Sequence, residues 1–338
     1  MKFGIFDHMD RAHPDLARQY ADRLRLIRAY DLRGFHAYHL AEHHGTPLGL
    51  APSPGVFLAA AAQHSERLRL GPLVYTLPQY HPLRLAEEIC MLDHISGGRL
   101  ELGIGRGISP IELGFYGLDA DAARERFAEA HEVIIRALTS ERLSYEGAHY
   151  RFEDVPMVLR PLQQPHPPLW YGISKPDTCS WAVANEMNVV TNGTLDTVRA
   201  IVDAYRAEWS ASRRALAQLP LIGVGRHIVI AERASDALGL ALEAYPQWLD
   251  SLLALWRERG IEPPYVAYPS TAEQALRDGF MLAGTAAEVR AEIEALVAAT
   301  GVNYLLCRFA FGELPVDAAL RSIELFGGEV MPAFGGGG

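Results

Sequence analysis

Short apolar runs alternate regularly with longer segments of helical periodicity, and this alternation is what most constrains the fold of the chain. Eight runs rich in β-branched and aromatic residues are each followed by a segment whose apolar residues recur every three or four positions. Nearly continuous apolar strands indicate a parallel sheet that is buried on both faces. Eight βα units in 338 residues predict an α/β protein with a (β/α)8 TIM barrel rather than an open, doubly wound sheet.

The element boundaries follow from this pattern. The predicted strands lie at 2–6, 34–40, 68–75, 100–105, 168–173, 187–191, 222–230 and 303–309. The predicted helices lie near 14–32, 54–65, 82–95, 121–139, 178–186, 194–211, 233–259, 285–299 and 315–330. An inserted hairpin with a Pro-bounded connector is predicted at 143–163, and a long Pro-containing loop at 260–283 before the last helix–strand pair. The chain is therefore expected to be a single domain, 1–334, followed by a flexible glycine tail at 335–338.

Charge and composition exclude several classes of partner. A formal net charge of −10 argues against nucleic acid or an anionic membrane surface, since neither would attract an acidic protein. No apolar run reaches about 18 residues, and the amino terminus starts as a strand without a signal-peptide pattern. The cysteines Cys90, Cys179 and Cys307 are odd in number and far apart, as in a reduced compartment. We therefore expect a cytoplasmic protein.

The stretch HLAEHH at 39–44 allows two interpretations. Its first five residues match the H-x-x-E-H pattern of a zinc peptidase, in which two histidines share the metal from one face of a helix. Here the residues follow a predicted strand and precede a loop rich in Gly and Pro, and histidines four apart on a strand lie about 13 Å from each other. No zinc site is therefore predicted. Glu42, His43 and His44 instead fall at the carboxyl end of a barrel strand, where catalytic groups lie in this fold, although loop capping would also explain them.

Two neighbouring strand ends carry groups suited to an anion. Gly103 to Gly107 form a G-x-G-x-G run that contains Arg106, and a guanidinium suits a phosphate. The next strand leads into Ser174, Lys175 and Thr178, and Lys175 is one of only two lysines among 31 basic residues. Arg124 is predicted to open the helix after the fourth strand and could reach the same place. These residues favour a phosphate-bearing ligand.

The chain resembles the bacterial luciferase family of flavin-dependent monooxygenases along nearly its whole length. The segments that carry the resemblance are MKFGIF, AEHHG, LPQYHPLRLAEEICMLDHISGGRLELGIGRG, SKPDTCSWAVANE and ATGVNYLLCRFAFGELPVDAALRSIELFGGEVMPAF, in the order found in luciferase α-type chains. The resemblance implies a (β/α)8 barrel that holds reduced FMN (FMNH2) at its carboxyl face, commonly as a homodimer.

The resemblance also implies roles for individual residues. Those matching the FMN-phosphate site are Arg106, Arg124, Ser174, Lys175 and Thr178. His43 matches the proposed catalytic base, with Glu42 and His44 beside it. Leu73 and Val74 match a non-prolyl cis peptide beneath the flavin. Gly105 stands where light-emitting members carry a reactive cysteine, so light emission is not expected.

The implied reaction is oxygenation of a small organic molecule. Reduced FMN, supplied by a separate flavin reductase, would react with O2 to give a C4a-(hydro)peroxide that oxygenates an apolar or aromatic substrate. Arginine- and alanine-rich composition indicates a GC-rich genome, with which secondary-metabolite biosynthesis is associated. Aromatic residues in candidate loops could line the substrate pocket or pack in the core: Tyr75, Phe115, Tyr116, Phe309 and Phe311. Two alternatives stay open: an F420-dependent hydride-transferring oxidoreductase and a non-catalytic flavin-binding barrel.

Overall fold

The computed structural model of the chain describes residues 1–263 and 268–335. The strands are β1 (Lys2–Asp7), β2 (Ala37–Leu40), β3 (Arg69–Pro72), β4 (Tyr75–Thr76), β5 (Leu102–Gly105), β6 (Arg142–Glu146), β7 (Arg151–Pro156), β8 (Leu169–Gly172), β9 (Asn188–Thr191), β10 (Ile222–Ile230), β11 (Met281–Gly284) and β12 (Tyr304–Arg308). The α-helices are α1 (Leu16–Leu32), α2 (Pro54–Ala62), α3 (Pro82–Ile95), α4 (Pro110–Phe115), α5 (Ala120–Thr139), α6 (Cys179–Ala184), α7 (Leu195–Ala211), α8 (Ala234–Glu258), α9 (Ala272–Arg277), α10 (Ala286–Thr300) and α11 (Val316–Leu325).

Nine parallel strands form a nearly closed barrel with helices outside it, which confirms the predicted fold. The strand order is β3-β2-β1-β12-β10-β9-β8-β5-β4. An isolated parallel bridge joins Leu70 of β3, at one end of this order, to Leu100, which directly precedes β5 near the other end. All eight predicted strands are present, and the third is divided into β3 and β4 by Leu73 and Val74.

The two predicted interruptions turned out differently. The hairpin is confirmed as the antiparallel pair β6–β7. The prediction of a loop over 260–283 is wrong in its second half, which contains α9 and β11. The reason is that β10 is nine residues long and pairs with β11 through residues 227–230, beyond its pairing with β9. Residues 264–267 of this loop, and 336–338 of the predicted tail, lie outside the described residues.

No helix within 1–263 and 268–335 has the length and apolar character that a membrane span requires.

The apolar core has two layers. The larger lies between the sheet and the outer helices. A smaller cluster fills the inside of the barrel with Leu73, Trp170, Val190, Tyr304 and Leu306. Because large side chains occupy the barrel interior, a ligand has room only at the mouth formed by the carboxyl ends of the strands.

A buried charged network fixes the loop that follows β1. Arg23 of α1 lies with its Nε 3.0 Å from Oδ2 of Asp7, and its Nη2 is 3.8 Å from Oδ1 of Asp10. The backbone N–H of Gly312 donates to Asp10 at 2.7 Å. Burial raises the pKa of Asp10 to about 7, although the nearby Arg23 opposes this. The network holds His8, which lies between the two aspartates in the sequence, at the barrel mouth.

Candidate active site

Glu42 and His44 form a hydrogen-bonded chain after β2. Nε2 of His44 lies 3.0 Å from Oε1 of Glu42, whose side chain is fully buried. The Tyr80 hydroxyl donates to the other carboxylate oxygen at 2.7 Å, and the Tyr116 hydroxyl lies 2.8 Å from Nδ1 of His44. Both predicted residues are therefore engaged by protein groups on both sides. This arrangement suits them to supporting the loop.

His43, between them in the sequence, is paired with a different carboxylate. Its Nδ1 lies 3.2 Å from Oε1 and 3.3 Å from Oε2 of Glu112 in α4. The backbone N–H of His44 also donates to Glu112, at 2.8 Å. Sequence reasoning missed Glu112, although Ser109-Pro110 marks a helix start with Glu at its third position. Ser109 does cap that helix, accepting from the Glu112 N–H at 3.2 Å, but the carboxylate reaches His43.

The electrostatics of this pair favour a proton on the imidazole. Burial lowers the pKa of His43, but the Glu112 carboxylate, through its charge and its hydrogen bond, outweighs burial and raises it above 6.5. Burial alone would raise the pKa of Glu112. The charge and hydrogen bond of His43 outweigh the effect of burial, so the pKa of Glu112 lies below 4.5. The two pKa shifts are consistent, since each favours the charged form of its own group. An imidazole in this setting can give or take a proton near neutral pH.

Replacing Glu112 with Gln should move the pH profile of kcat/KM. Without the carboxylate, burial dominates and the pKa of His43 falls, so the limb of the profile that reports His43 moves to lower pH. Profiles of the wild type and Glu112→Gln between pH 5 and 9 test this. Glu88→Gln removes a carboxylate bonded to Tyr75 and should leave the limb in place. An unmoved limb in Glu112→Gln would show that another group titrates there.

A second histidine, His8, faces the same mouth. The Trp248 indole N–H donates to its Nδ1 at 3.3 Å, and its ring centroid lies 5.9 Å from that of His43. Burial, followed by the charge of Arg308, holds the pKa of His8 well below 6.5, so this imidazole is neutral. His8 was not predicted, although a polar residue directly after the first strand was the available signal.

Four of the predicted phosphate residues follow two neighbouring strands. β5 pairs with β8, with Ile104 opposite Tyr171, so Arg106 and Ser174 leave adjacent strand ends. Arg106, Ser174, Lys175 and Thr178 are exposed, and within the described residues neither Arg106 nor Lys175 forms an ion pair. The predicted helix here is shorter than expected: a 3-10 turn at Pro176–Thr178 precedes the six-residue α6.

Arg124 lies on the same side of the barrel but apart from that loop. It is in the second turn of α5 and does not open the helix as predicted, because α5 begins at Ala120 with Asp119 as its cap. Its side chain is 69% exposed and lies 4.0 Å from Asp121. Phe127, one turn later, lies against the ring of Tyr171 in β8, so Arg124 could reach a phosphate bound beside that strand.

Glycines stand at the ends of β5 and β8, next to the segment that joins β3 and β4. The Leu73–Val74 peptide bond is cis, as the resemblance implied. A Cβ at Gly105 would collide with Val74, so glycine allows this segment to pack against β5. Nothing lies within 4 Å of the position a Cβ would take at Gly172 in β8. The open position at Gly172 therefore lies at the strand end that leads into the loop with Ser174 and Lys175.

The aromatic candidates for the pocket lie in three different settings. Tyr75 and Phe309 are fully buried in the outer core, so interpreting them as pocket residues is wrong. Phe115 and Tyr116 of the α4 region are about half exposed beside His44. Phe311 is buried and contacts the ring of His227.

The described residues contain no group of three or more His, Cys, Asp or Glu side chains that could hold a metal ion.

Known proteins match this chain over most of its length. The family model described as luciferase-like monooxygenase matches residues 1–304. An uncharacterized protein of Sinorhizobium fredii (y4wF) is 46% identical over 336 residues, covering 99% of this chain and 98% of its own. The oxygenase component of the flavin-dependent trigonelline monooxygenase of Acinetobacter baylyi is 29% identical, covering 99% of this chain and 96% of its own.

Solved structures share the fold. Monooxygenase RslO1 from Streptomyces bottropensis superposes with a TM-score of 0.88 at 27% identity, covering 99% of this chain and 100% of its own. The coenzyme F420-dependent tetrahydromethanopterin reductase of Methanopyrus kandleri has a TM-score of 0.72 at 22% identity, covering 98% of this chain and 99% of its own. At that identity the second likeness concerns the barrel alone.

Proposed function

This chain belongs to the luciferase-like monooxygenase family, and we propose that it uses reduced FMN and O2 to oxygenate a small apolar or aromatic compound. The observation that carries the proposal is the His43–Glu112 pair at the mouth of a barrel whose neighbouring strands β5 and β8 lead into Arg106 and Lys175. The relative from Acinetobacter baylyi, which is named flavin-dependent, supports a flavin as the cofactor.

Residues on both sides of the mouth would hold the cofactor. Arg106 and Lys175 would neutralise the phosphate, and the hydroxyls of Ser174 and Thr178 would donate to it, with Arg124 nearby. The Leu73–Val74 segment and Gly105 would lie against the ring system. When bound, reduced FMN supplies the two electrons with which O2 is activated.

His43 would hold or move the proton that oxygenation requires. Its Nδ1 is occupied by Glu112, so Nε2 is the atom from which a proton would be exchanged with a reactant. Phe6, His8 and Trp248 pack against one another beside it, and these largely buried rings would exclude water from the reaction.

The enzyme would act with a partner protein. A relative is described as an oxygenase component, which supports a separate flavin reductase as the source of reduced FMN. We expect the oxygenase to be a cytoplasmic homodimer, by resemblance to its family.

The decisive test combines oxygen labelling with an anaerobic assay. Protein loaded with photoreduced FMN would be mixed with ¹⁸O2 and a panel of apolar and aromatic aldehydes, ketones and phenols. One labelled oxygen atom in a product supports the proposal. Unlabelled products with anaerobic, substrate-dependent reduction of F420 would establish the hydride-transferring alternative. Oxygen uptake at the rate of free reduced FMN with every compound would indicate a barrel without this chemistry.

Replacing Arg106 with Ala should weaken reduced FMN binding about 10- to 100-fold. A hydrogen bond to a charged group contributes about 1.5–3 kcal/mol, and 1.4 kcal/mol is a factor of ten in affinity. Anaerobic titration of the wild type and Arg106→Ala measures this. Because riboflavin lacks the phosphate, its reduced form should bind both proteins equally. Arg199→Ala, an exposed arginine on α7, should change neither affinity. Equal FMN affinity in all three proteins would remove Arg106 from the phosphate site.

A further inference from the structure

Arg308 places a buried positive charge at the barrel mouth. It is the last residue of β12 and is 2% exposed. Its Nη2 donates to Oδ1 of Asn192 at 2.7 Å and to the hydroxyl of Tyr268 at 3.1 Å. Its Nε and Nη1 have no hydrogen-bond partner in the described structure. Buried donors without acceptors are costly, so an acceptor that completes this set would be bound strongly.

Within 1–263 and 268–335, no carboxylate forms an ion pair with Arg308. Among the described residues, no Asp or Glu oxygen lies within 4.0 Å of a nitrogen of Arg308 or of its neighbour Arg226, whereas the buried Arg23 has two aspartates. Arg226 donates only to backbone carbonyls of Gly225 and Gly193 in the described structure. Burial lowers the pKa of Arg308, and it lowers the pKa of Arg226 to about 10. In the β10–β12 register Arg226 is opposite Cys307, so its side chain leaves the sheet on the other face from Arg308, although the two charges still act on each other. The buried guanidinium of Arg308 therefore creates a positive site that lacks a paired carboxylate among the described residues.

A second buried side chain without hydrogen-bond partners among the described residues lies beside Arg308. His227, on β10 opposite Arg308, is fully buried, and neither of its ring nitrogens has a hydrogen-bond partner among the described residues. Gly225 lies two residues earlier on the same strand. A Cβ there would lie 2.8 Å from Nη2 of Arg308, so glycine leaves the space that the guanidinium occupies.

The charged site adjoins the candidate active site. The guanidinium carbon of Arg308 lies 4.8 Å from the centre of the Phe6 ring. Phe6 contacts His8, and His8 lies next to His43. Phe6 and Val74 pack on the same interior cluster, so Arg308 stands on the surface that continues to the proposed flavin position.

Arg308 is also distant from the proposed phosphate site. In the strand order, β12 lies between β1 and β10, on the side of the barrel opposite β5. The phosphate residues follow β5 and β8. An anion at Arg308 would therefore belong to a second molecule bound at the mouth.

We propose that Arg308, with His227 beside it, forms a subsite for a carboxylate group on the organic substrate. This inference rests on the proposed oxygenase function, since it concerns the substrate of that site. A carboxylate oxygen would accept from the unused donors of Arg308, and the substrate would extend over Phe6 toward His43. The preferred substrates are then small aromatic or apolar acids.

Equilibrium binding tests the subsite without turnover. Benzoate and the neutral benzamide would be titrated into the FMN-loaded protein, with Trp fluorescence as the signal. The wild type should bind benzoate at least 10-fold more tightly than benzamide. Arg308→Gln should weaken benzoate binding about 10- to 100-fold and leave benzamide unchanged, and Arg308→Lys should retain part of the preference. Arg199→Gln on the outer helix α7 should bind both as the wild type does.

Other outcomes would overturn the proposal. Equal affinity of the wild type for benzoate and benzamide would do so without any variant, which covers the case that Arg308→Gln does not fold. Weaker FMN binding in Arg308→Gln with an unchanged benzoate preference would assign the arginine to the flavin instead. Because neither titration involves O2, failure here is distinct from failure of the labelling experiment.

Discussion

Replacing His43 with Ala is expected to lower turnover about 10²- to 10⁴-fold while reduced FMN still binds with its normal affinity. That range is the usual contribution of a positioned general acid or base. Both ring nitrogens of His44 have protein partners. In His43, by contrast, Glu112 occupies Nδ1, and no hydrogen bond to Nε2 is formed among the described residues. The rate of labelled product formation at saturating substrate measures the effect.

Two further variants separate catalysis from structure. His64→Ala removes a histidine on the outside of the barrel, bonded to the carbonyl of Ala60, and should leave turnover unchanged. Glu112→Gln should reduce turnover less than His43→Ala, because it alters the pKa of the imidazole without removing the ring. Full turnover in His43→Ala with normal FMN binding would exclude the assigned role.

The barrel could be predicted from the sequence because its signal is local. The spacing of apolar residues within each segment predicts whether it is a strand or a helix, and eight repeated βα units leave few alternative folds. The prediction failed at 272–284, where α9 and β11 are short. β11 exists because the far end of β10 offers it an edge, and that depends on the length of another strand.

The site was predictable only as far as strand ends could be located. Glu42, His43 and His44 directly follow β2, so the general position of catalytic groups in barrels identified them. Glu112 is 69 positions from His43, and its own segment predicts only a helix start. Arg308 lies inside a predicted strand, where an isolated arginine gives no sign of whether it faces the barrel mouth or the helices. Three-dimensional contacts decide both cases.

Replacing Arg23 with Met is expected to lower the free energy of unfolding by about 3–5 kcal/mol. Removing one partner of a buried ionic network leaves the other charges uncompensated, and here both Asp7 and Asp10 would lose their cation. Tyr38, which donates to Asp7 at 2.9 Å, would remain but cannot neutralise a carboxylate. Arg25→Met, on the same helix, removes an exposed arginine whose ion pairs are open to solvent, and should leave the free energy of unfolding nearly unchanged. Urea unfolding of the three proteins gives the comparison.

The cost of Arg23→Met should also depend on pH. The pKa of Asp10 in the folded state, about 7, already exceeds its ordinary 3.8, so its stabilising contribution is complete below pH 3.8 and is lost as pH rises through 7. Arg23 lowers that pKa, so removing the cation raises it further and deepens the loss at high pH. Arg23→Met should therefore be destabilised more at pH 8 than at pH 5, relative to the wild type. An equal loss at both values would mean that the variant fails through packing of the long side chain and not through the charge on Asp10.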